Sequence, residues 1–350
     1  MAAPSNGWVV KPVTSGQQLR LSTSRQAKPS YSSSLNESAV SPNYGDMVGE
    51  VTAGRIRRGI NGAKQKVVDS TTELFSHGPQ PLVDTMSYPN DPGLLGPDSV
   101  SWEVIGDVTA FVGGIRALVV QTAHPEVMAG VDQHSQYQTD PLGRLSRTSV
   151  YVTETTYGAM PEVKAAVRVV REAHKPVHGV SERQLPYSAS TPSMAAWVHN
   201  VLTESFLVAY QNYGPRPLSP QQADLFVSEQ AKIGALLGAD PLPRTARELS
   251  SWITEHPDLT PTAAQSTAIE FLRNPPLATP VKLGYRLLFG AAAATIPAPI
   301  TTITGISSRR SAKRTGRTSV SALRWALGPS PARQQATIRA QSPAPPTNAN

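Results

Sequence analysis

The sequence predicts an all-α fold in which one multi-helix domain lies between disordered N- and C-terminal tails. Apolar residues recur at intervals of three and four, the spacing that places them on one face of a helix. Several of these segments begin with Ser-Pro or Thr-Pro and end in Gly, which are start and stop signals for helices. Only residues 148–156 show a short alternating pattern that would also suit a strand.

The two tails are predicted from composition. Residues 1–93 are rich in Ser, Asn, Pro and Gly and form a mostly disordered N-terminal region and linker, with a short helix in 49–77. Residues 306–350 hold basic residues and no acidic ones, so they are expected to be a basic disordered tail. The net charge of +7 therefore belongs to this tail. Such tails are usually solvated, and we expect no specific nucleic-acid partner.

The helical domain is predicted to span residues 94–305. Its first helix is expected to begin with Ser101 as the N-cap and to end at His124-Pro125, with Gly113 and Gly114 allowing close packing. Later helices are expected from Pro125, from Pro141, over 161–174, 191–213 and 219–238, and as two or three shorter segments within 243–295.

Several functional classes are excluded by what the sequence lacks. There is no cysteine, so disulfides, thiolate nucleophiles and Cys-bound metals are ruled out. The phosphate-binding loop, the dinucleotide fingerprint and the Gly-x-Ser-x-Gly elbow are missing. We see no secretion signal and no apolar run of spanning length, so we expect a cytoplasmic protein without a transmembrane span, with peripheral membrane association left open.

Histidines are concentrated in one part of the chain. His174 continues the apolar stripe of Val163, Val167 and Val170, where an unpaired imidazole costs free energy. A metal bond would remove that cost, and a proximal haem ligand requires such an imidazole. Most histidines are caps or hydrogen-bonded core residues, and that alternative stays open. The nearby histidines are His124, His134, His178 and His199.

A second candidate site is the segment from Arg144 to Thr148. These two residues are four apart and share a helical face, and Arg147 is their neighbour. Arginine can hold a carboxylate or a haem propionate with two hydrogen bonds, and threonine can donate to bound dioxygen. The alternative is an ordinary solvated face.

Four segments occur in the order LLGPDSVSWEV, GGIRALVVQTAHPEVMAGVDQHSQYQTDPLGRLSRTSVYV, VREAHKPVHG and PYSASTPSMAAWVHNVL. Together they resemble the family that joins latex clearing protein, a rubber oxygenase, with the fungal mpaB-type oxygenases. The resemblance implies a globin-like helical core, a b-type haem with its iron on a proximal histidine, and oxidation of an apolar, isoprenoid-like molecule by dioxygen. It assigns the Arg-x-x-x-Thr motif to Arg144 and Thr148, and the proximal ligand to His174 or, failing that, His178.

This chain differs from the rubber-cleaving members at two positions, and two alternative functions stay open beside the haem oxygenase. Rubber-cleaving members carry a Glu where this chain has Met128, with Glu126 nearby, and Lys where it has Arg147, so rubber itself is not the expected substrate. One rival is a non-haem metalloenzyme. The other is a non-catalytic helical binding protein with a basic tail. The metal ligands for the first rival would be His124, His134 and either Asp132 or Asp140.

Overall fold

A computed structural model of the protein describes residues 61–62, 64–71, 73 and 77–343. Helix α1 is described over residues 64–71, so the helix predicted within 49–77 is present in its described part. The disorder predicted for residues 1–60 lies outside the described residues.

The described chain is almost entirely helical, which confirms the all-α prediction. The globin-like arrangement stays a prediction. After a short 3-10 turn at Thr85–Ser87, the elements are α2 (Val100–Ile105), α3 (Thr109–Gln121), α4 (Pro125–His134), α5 (Pro141–Tyr157), α6 (Met160–His174), β1 (His178–Val180), β2 (Pro186–Ser188), α7 (Pro192–Tyr213), α8 (Pro220–Leu237), α9 (Ala246–Thr254), α10 (Ala263–Arg273), α11 (Thr279–Ala293), α12 (Ala298–Thr304), α13 (Ala312–Leu327) and α14 (Pro331–Gln341).

Helices α3 and α7 form the centre of the described core. Gly113 of α3 allows this approach, because a Cβ there would lie 2.6 Å from Cδ1 of Phe206 on α7. One turn later, the guanidinium of Arg116 is 1% exposed and pairs with Glu204 of α7. The surrounding core is built from aromatic and aliphatic side chains of several helices, including Val120, Trp197, Val201, Phe226, Leu249, Ile253 and Ile300.

The first predicted helix is divided in two, and its start was predicted two residues late. Ser99 is the N-cap of α2, and its Oγ accepts a hydrogen bond from the Trp102 amide. The chain then leaves the helix at Gly106, and the carboxylate of Asp107 accepts from the Thr109 amide to start α3. This side-chain cap satisfies an amide that a continuous helix would have paired with a carbonyl.

Residues 148–156 are helical within α5, so the alternating pattern there does not mark a strand. The described strands instead form a two-stranded antiparallel hairpin, in which His178 lies opposite Ser188 and Val180 opposite Pro186. Each strand has only three residues, too few to show a period in the sequence.

The predicted disordered tail is largely helical in the described residues. Val320 of α13 is buried against Ala291 and Tyr213, together with the partly buried Leu323 and Leu327. Arg324 donates from Nε and Nη2 to the carboxylate of Asp107 at 2.6 and 2.8 Å. The prediction of disorder relied on the basic composition of this segment. It overlooked the apolar stripe of α13 and the pairing of Arg324 with Asp107 inside the structure.

Helix α14 packs onto the segment that was predicted to be a linker. Arg339 is completely buried and donates from Nη1 to Oγ1 of Thr85 at 2.6 Å and to the carbonyl of Tyr157 at 2.7 Å. Its Nε donates to the carbonyl of Asp91 at 2.9 Å. Leu82 and Thr85 are buried as well, so residues 78–93 belong to the packed structure.

No helix in the described part of the chain combines the length and apolarity that crossing a membrane requires.

Replacing Arg339 with alanine should lower the free energy of unfolding by about 3 kcal/mol, because two buried acceptors and one partly buried acceptor lose a charged donor. Arg333→Ala, on the same helix but exposed, should change it by less than about 0.5 kcal/mol. Urea unfolding followed by far-UV circular dichroism measures both. Equal effects of the two substitutions would show that α14 does not anchor residues 85–91.

Candidate functional site

Helices α5 and α6 form a hairpin that brings two of the predicted residues to one end. Only Gly158 and Ala159 separate the helices, which pack against each other. Arg144 and His174 each lie roughly four turns from this bend. We call the region where α5 begins and α6 ends the open end of the hairpin.

Arg144 is half-buried at the open end and has no carboxylate partner among the described residues. Its Nη1 donates to Oγ of Ser135 at 3.0 Å, which leaves the positive charge uncompensated. Burial is the main cause that lowers the pKa of this guanidinium, the nearby Tyr137 partly opposes it, and Arg147 lowers it slightly further. A desolvated guanidinium without a counter-ion is suited to bind an anionic group.

Arg147 and Thr148 have partners of their own on α5. Nη1 of Arg147 is 3.2 Å from Oδ2 of Asp140, and both side chains are largely exposed. The Thr148 hydroxyl donates to the carbonyl of Arg144 at 3.0 Å within the helix. These two side chains would therefore have to change partner to contact a ligand.

Tyr151 is a residue that sequence reasoning missed. It lies three residues after Thr148 and seven after Arg144, hence on the same face of α5. Its hydroxyl is buried and has no hydrogen-bond partner among the described residues, and burial raises its pKa. The helical spacing from Arg144 was a signal that could have found it.

His174 is the last residue of α6 and is half-buried. Val163 and Val167 of the same stripe are buried, as their spacing predicted. Burial lowers the pKa of the His174 imidazole, and no described residue hydrogen-bonds to its ring. A neutral imidazole with a free ring nitrogen can act as a metal ligand.

His178 lies outside α6, because the helix ends at His174 and His178 opens β1. The two histidines therefore do not share a helical turn, although their spacing of four residues would also have suited a pair of zinc ligands on one helix. The His178 side chain is exposed, while its carbonyl accepts from Nε2 of His134 at 3.1 Å. This contact joins the end of α4 to the hairpin of strands.

The structure does not bring together the ligands predicted for a non-haem site. His124 precedes α4 and His134 ends it, so the two are separated by about 15 Å of helix. Asp132 and His134 are exposed, and Asp140 caps α5 by accepting from the Gly143 amide.

His124 instead lies beside two residues that no sequence pattern connected with it. His124, His256 and Asp258 each offer one ligand atom, and these atoms lie within 4.8 Å of one another. We call this group the His–His–Asp cluster. Burial is the main cause that lowers the pKa of His124, to about 4, and burial also lowers the pKa of His256. Both rings are therefore neutral near pH 7.

His199, the fifth histidine of the sequence cluster, is a core residue. It is 5% exposed on α7, and its Nε2 lies 3.4 Å from Oγ1 of Thr203. Gly234 of α8 makes room for the ring, since a Cβ there would lie 2.7 Å from Cδ2 of His199. His199 is therefore a hydrogen-bonded core histidine, the alternative that the sequence left open.

Comparison with known proteins gives one match. The family model described as "ER-bound oxygenase mpaB/B'/Rubber oxygenase, catalytic domain" matches residues 102–327. No curated protein and no solved structure matches the chain. The matched region extends past residue 305 to the end of α13, in agreement with the packing of that helix.

Tyr151→Phe should raise the free energy of unfolding of the ligand-free protein by about 1 kcal/mol, because it removes a buried hydroxyl without a partner. Tyr157→Phe is the matched control. The Tyr157 hydroxyl is also buried but donates to the carbonyl of Trp102 at 2.9 Å, so its loss should cost about 1 kcal/mol. Denaturant unfolding measures both variants. A loss of stability in Tyr151→Phe as well as in Tyr157→Phe would show that the Tyr151 hydroxyl has a hydrogen-bond partner after all.

The stability of the protein should fall as the pH drops from about 6.5 to about 4. Burial lowers the pKa of His199 from 6.5 to about 4, so in this window the unfolded chain binds a proton that the folded chain rejects. The loss from His199 should reach at most about 3 kcal/mol. Unfolding titrations should show a flatter pH dependence for His199→Gln and an unchanged one for the exposed His178→Gln. An unchanged slope in His199→Gln would contradict this assignment.

Proposed function

The chain belongs to the family of mpaB-type and rubber oxygenase catalytic domains, and we propose that it is a haem-b-dependent oxygenase that uses dioxygen to oxidise an apolar small molecule. The family is one of oxygenases. The haem, the substrate and the roles of individual residues are parts of the proposal.

The observation that carries the proposal is the uncompensated charge of Arg144 at the open end. This half-buried guanidinium has only the hydroxyl of Ser135 as its side-chain partner among the described residues. A haem carries two propionates, and an arginine can bind such a carboxylate with two hydrogen bonds. The charge of Arg144 therefore fits a haem propionate.

His174 is the proposed iron ligand. It ends α6 at the same end of the hairpin as Arg144, it is half-buried, and its ring has no described hydrogen-bond partner. His178 is exposed in a strand, which makes it the weaker candidate. The partial burial of His174 favours the neutral imidazole that binds iron.

The remaining polar groups on this face of α5 would orient the haem, the dioxygen or the substrate. The orphaned hydroxyl of Tyr151 can donate to a ligand without giving up an existing bond. Thr148 can donate only after leaving the carbonyl of Arg144, and Arg147 only after leaving Asp140. When bound, the haem supplies the oxidation chemistry, and the protein supplies orientation and the exclusion of water.

The substrate is proposed to be apolar, with an isoprenoid-like molecule as the leading class and rubber as an unlikely member. Met128 is 1% exposed and packs with Tyr137 and Ala268, so no base is present at its position. Glu126 does not replace it, because its carboxylate accepts from Arg183 and Ser181. Peripheral membrane association stays a prediction.

The rivals have less support. The predicted non-haem ligands of α4 are far apart, as described above. A non-catalytic protein with a recruiting tail would need that tail to be free, whereas α13 packs on the core and Arg324 and Arg339 have partners inside the described structure.

Purified protein titrated with haemin should develop a Soret band at one haem per chain, and His174→Ala should abolish or strongly weaken it. Arg144→Met should weaken haem binding about tenfold or more, the effect of losing one charged hydrogen bond. His178→Ala and the exposed Arg168→Met are the matched controls and should bind haem as the wild type does. A colourless wild-type protein, or a normal Soret band in His174→Ala, would refute the proposal.

A further inference from the structure

We infer that the His–His–Asp cluster is a binding site for one divalent transition-metal ion, such as Zn²⁺ or Fe²⁺, separate from the open end of the α5–α6 hairpin. The inference does not rest on the proposed haem. It follows from the convergence of ligands, an unpaired buried nitrogen, the local charge and an open cleft.

The three ligands converge from two distant parts of the sequence. His124 is the residue before α4, while His256 and Asp258 lie in the turn after α9. Their ligand atoms are at most 4.8 Å apart. Ligands around a tetrahedral zinc ion lie about 3.3 Å from one another, so shortening these distances by up to about 1.5 Å would close the site.

His124 contributes a buried ring nitrogen that has no hydrogen-bond partner among the described residues. It is 7% exposed, and its Nδ1 is buried without a hydrogen-bond partner. The nearest carboxylate oxygen, Oε2 of Glu126, is 3.5 Å from that nitrogen in an arrangement that makes no hydrogen bond. A buried polar atom without a partner costs free energy, and a metal bound through Nδ1 would recover it.

The charges around the cluster favour a cation. Glu126 and Asp258 carry two negative charges, and Arg183 between them carries one positive charge. Nη2 of Arg183 donates to Oδ1 of Asp258 at 3.2 Å and to Oε2 of Glu126 at 2.6 Å. Arg183 therefore orients the aspartate and leaves its Oδ2 available for a metal. Nδ1 of His256, 3.9 Å from this oxygen, accepts a hydrogen bond from the Asp258 amide at 3.3 Å, so a metal that bound this nitrogen would replace that contact.

Aromatic side chains hold the imidazoles in place. The ring of His256 lies 5.0 Å from both Trp197 and Trp252, each in an edge-to-face arrangement. The ring of His124 lies 5.4 Å from Trp197 and 5.2 Å from His256. Such packing restricts the rotation of both rings, which lowers the entropy lost when a metal binds.

One side of the cluster opens onto a cleft of about 440 Å³ whose lining includes Trp252, His256 and Asp258. Three protein ligands leave at least one coordination position, which would face this cleft and hold water or a small molecule. Two histidines and one carboxylate with an open position are the donor set of catalytic zinc sites and of non-haem iron sites. The geometry thus points to a reactive metal site and not to a closed structural one.

The test uses the full chain, with its affinity tag cleaved off and adventitious metal removed by a chelator, and titrates it with Zn²⁺ by calorimetry. One ion per chain should bind. Asp258→Asn and His256→Ala should each weaken binding by about 100-fold or more, since each removes one of three ligands. Asp132→Asn and His134→Ala change exposed residues of the same types on α4 and should leave the affinity unchanged.

A second measurement reports the ligands directly. Co²⁺ bound at the cluster should give visible ligand-field absorption that Asp258→Asn alters and Asp132→Asn does not. Far-UV circular dichroism checks folding, and if His256→Ala unfolds, Asp258→Asn decides, because it keeps the shape of the side chain. No saturable binding by the wild type, or wild-type affinity in folded Asp258→Asn, would overturn the inference.

Discussion

The buried ion pair between Arg116 and Glu204 is the contact around which the rest of the fold is arranged. Arg116 also donates to Oγ of Ser205 at 2.8 Å and to the carbonyl of Thr295 at 3.4 Å, so one guanidinium connects α3, α7 and the end of α11. An isolated charge in this position would be very unfavourable, and satisfying it fixes how the helices meet. The His–His–Asp cluster depends on this frame, because α3 leads directly into His124 and α7 carries Trp197.

Helix boundaries could be predicted where the signals are local. Pro141, Pro192 and Pro220 open helices as their spacing indicated, and Gly238 ends α8 in a left-handed conformation. The helix boundaries that were predicted wrongly are those set by contacts between residues far apart in the sequence. The bend before α3 depends on Asp107, whose carboxylate pairs with Arg324 on α13, and no local pattern reveals that partner.

The candidate sites show the same difference between features set by local spacing and features set by distant contacts. Arg144, Thr148 and Tyr151 lie on one helix, so their common face follows from residue spacing, although the burial of Tyr151 does not. The His–His–Asp cluster joins positions more than a hundred residues apart, and only the packing of α4 against the turn after α9 brings them together. Sequence reasoning grouped His124 with His134, whereas in the structure His124 lies beside His256 and Asp258.

The contact of Arg339 with Thr85 has a consequence for how the protein is made. These residues are 254 positions apart, so nearly all of the domain leaves the ribosome before the guanidinium that Thr85 and the Tyr157 carbonyl require. Domains generally fold as units during synthesis. Residues 85–91 must wait, with their polar groups hydrated, until α14 is released. Closure of this side of the protein therefore follows the synthesis of α14, and a nascent chain stalled before α14 would remain open there.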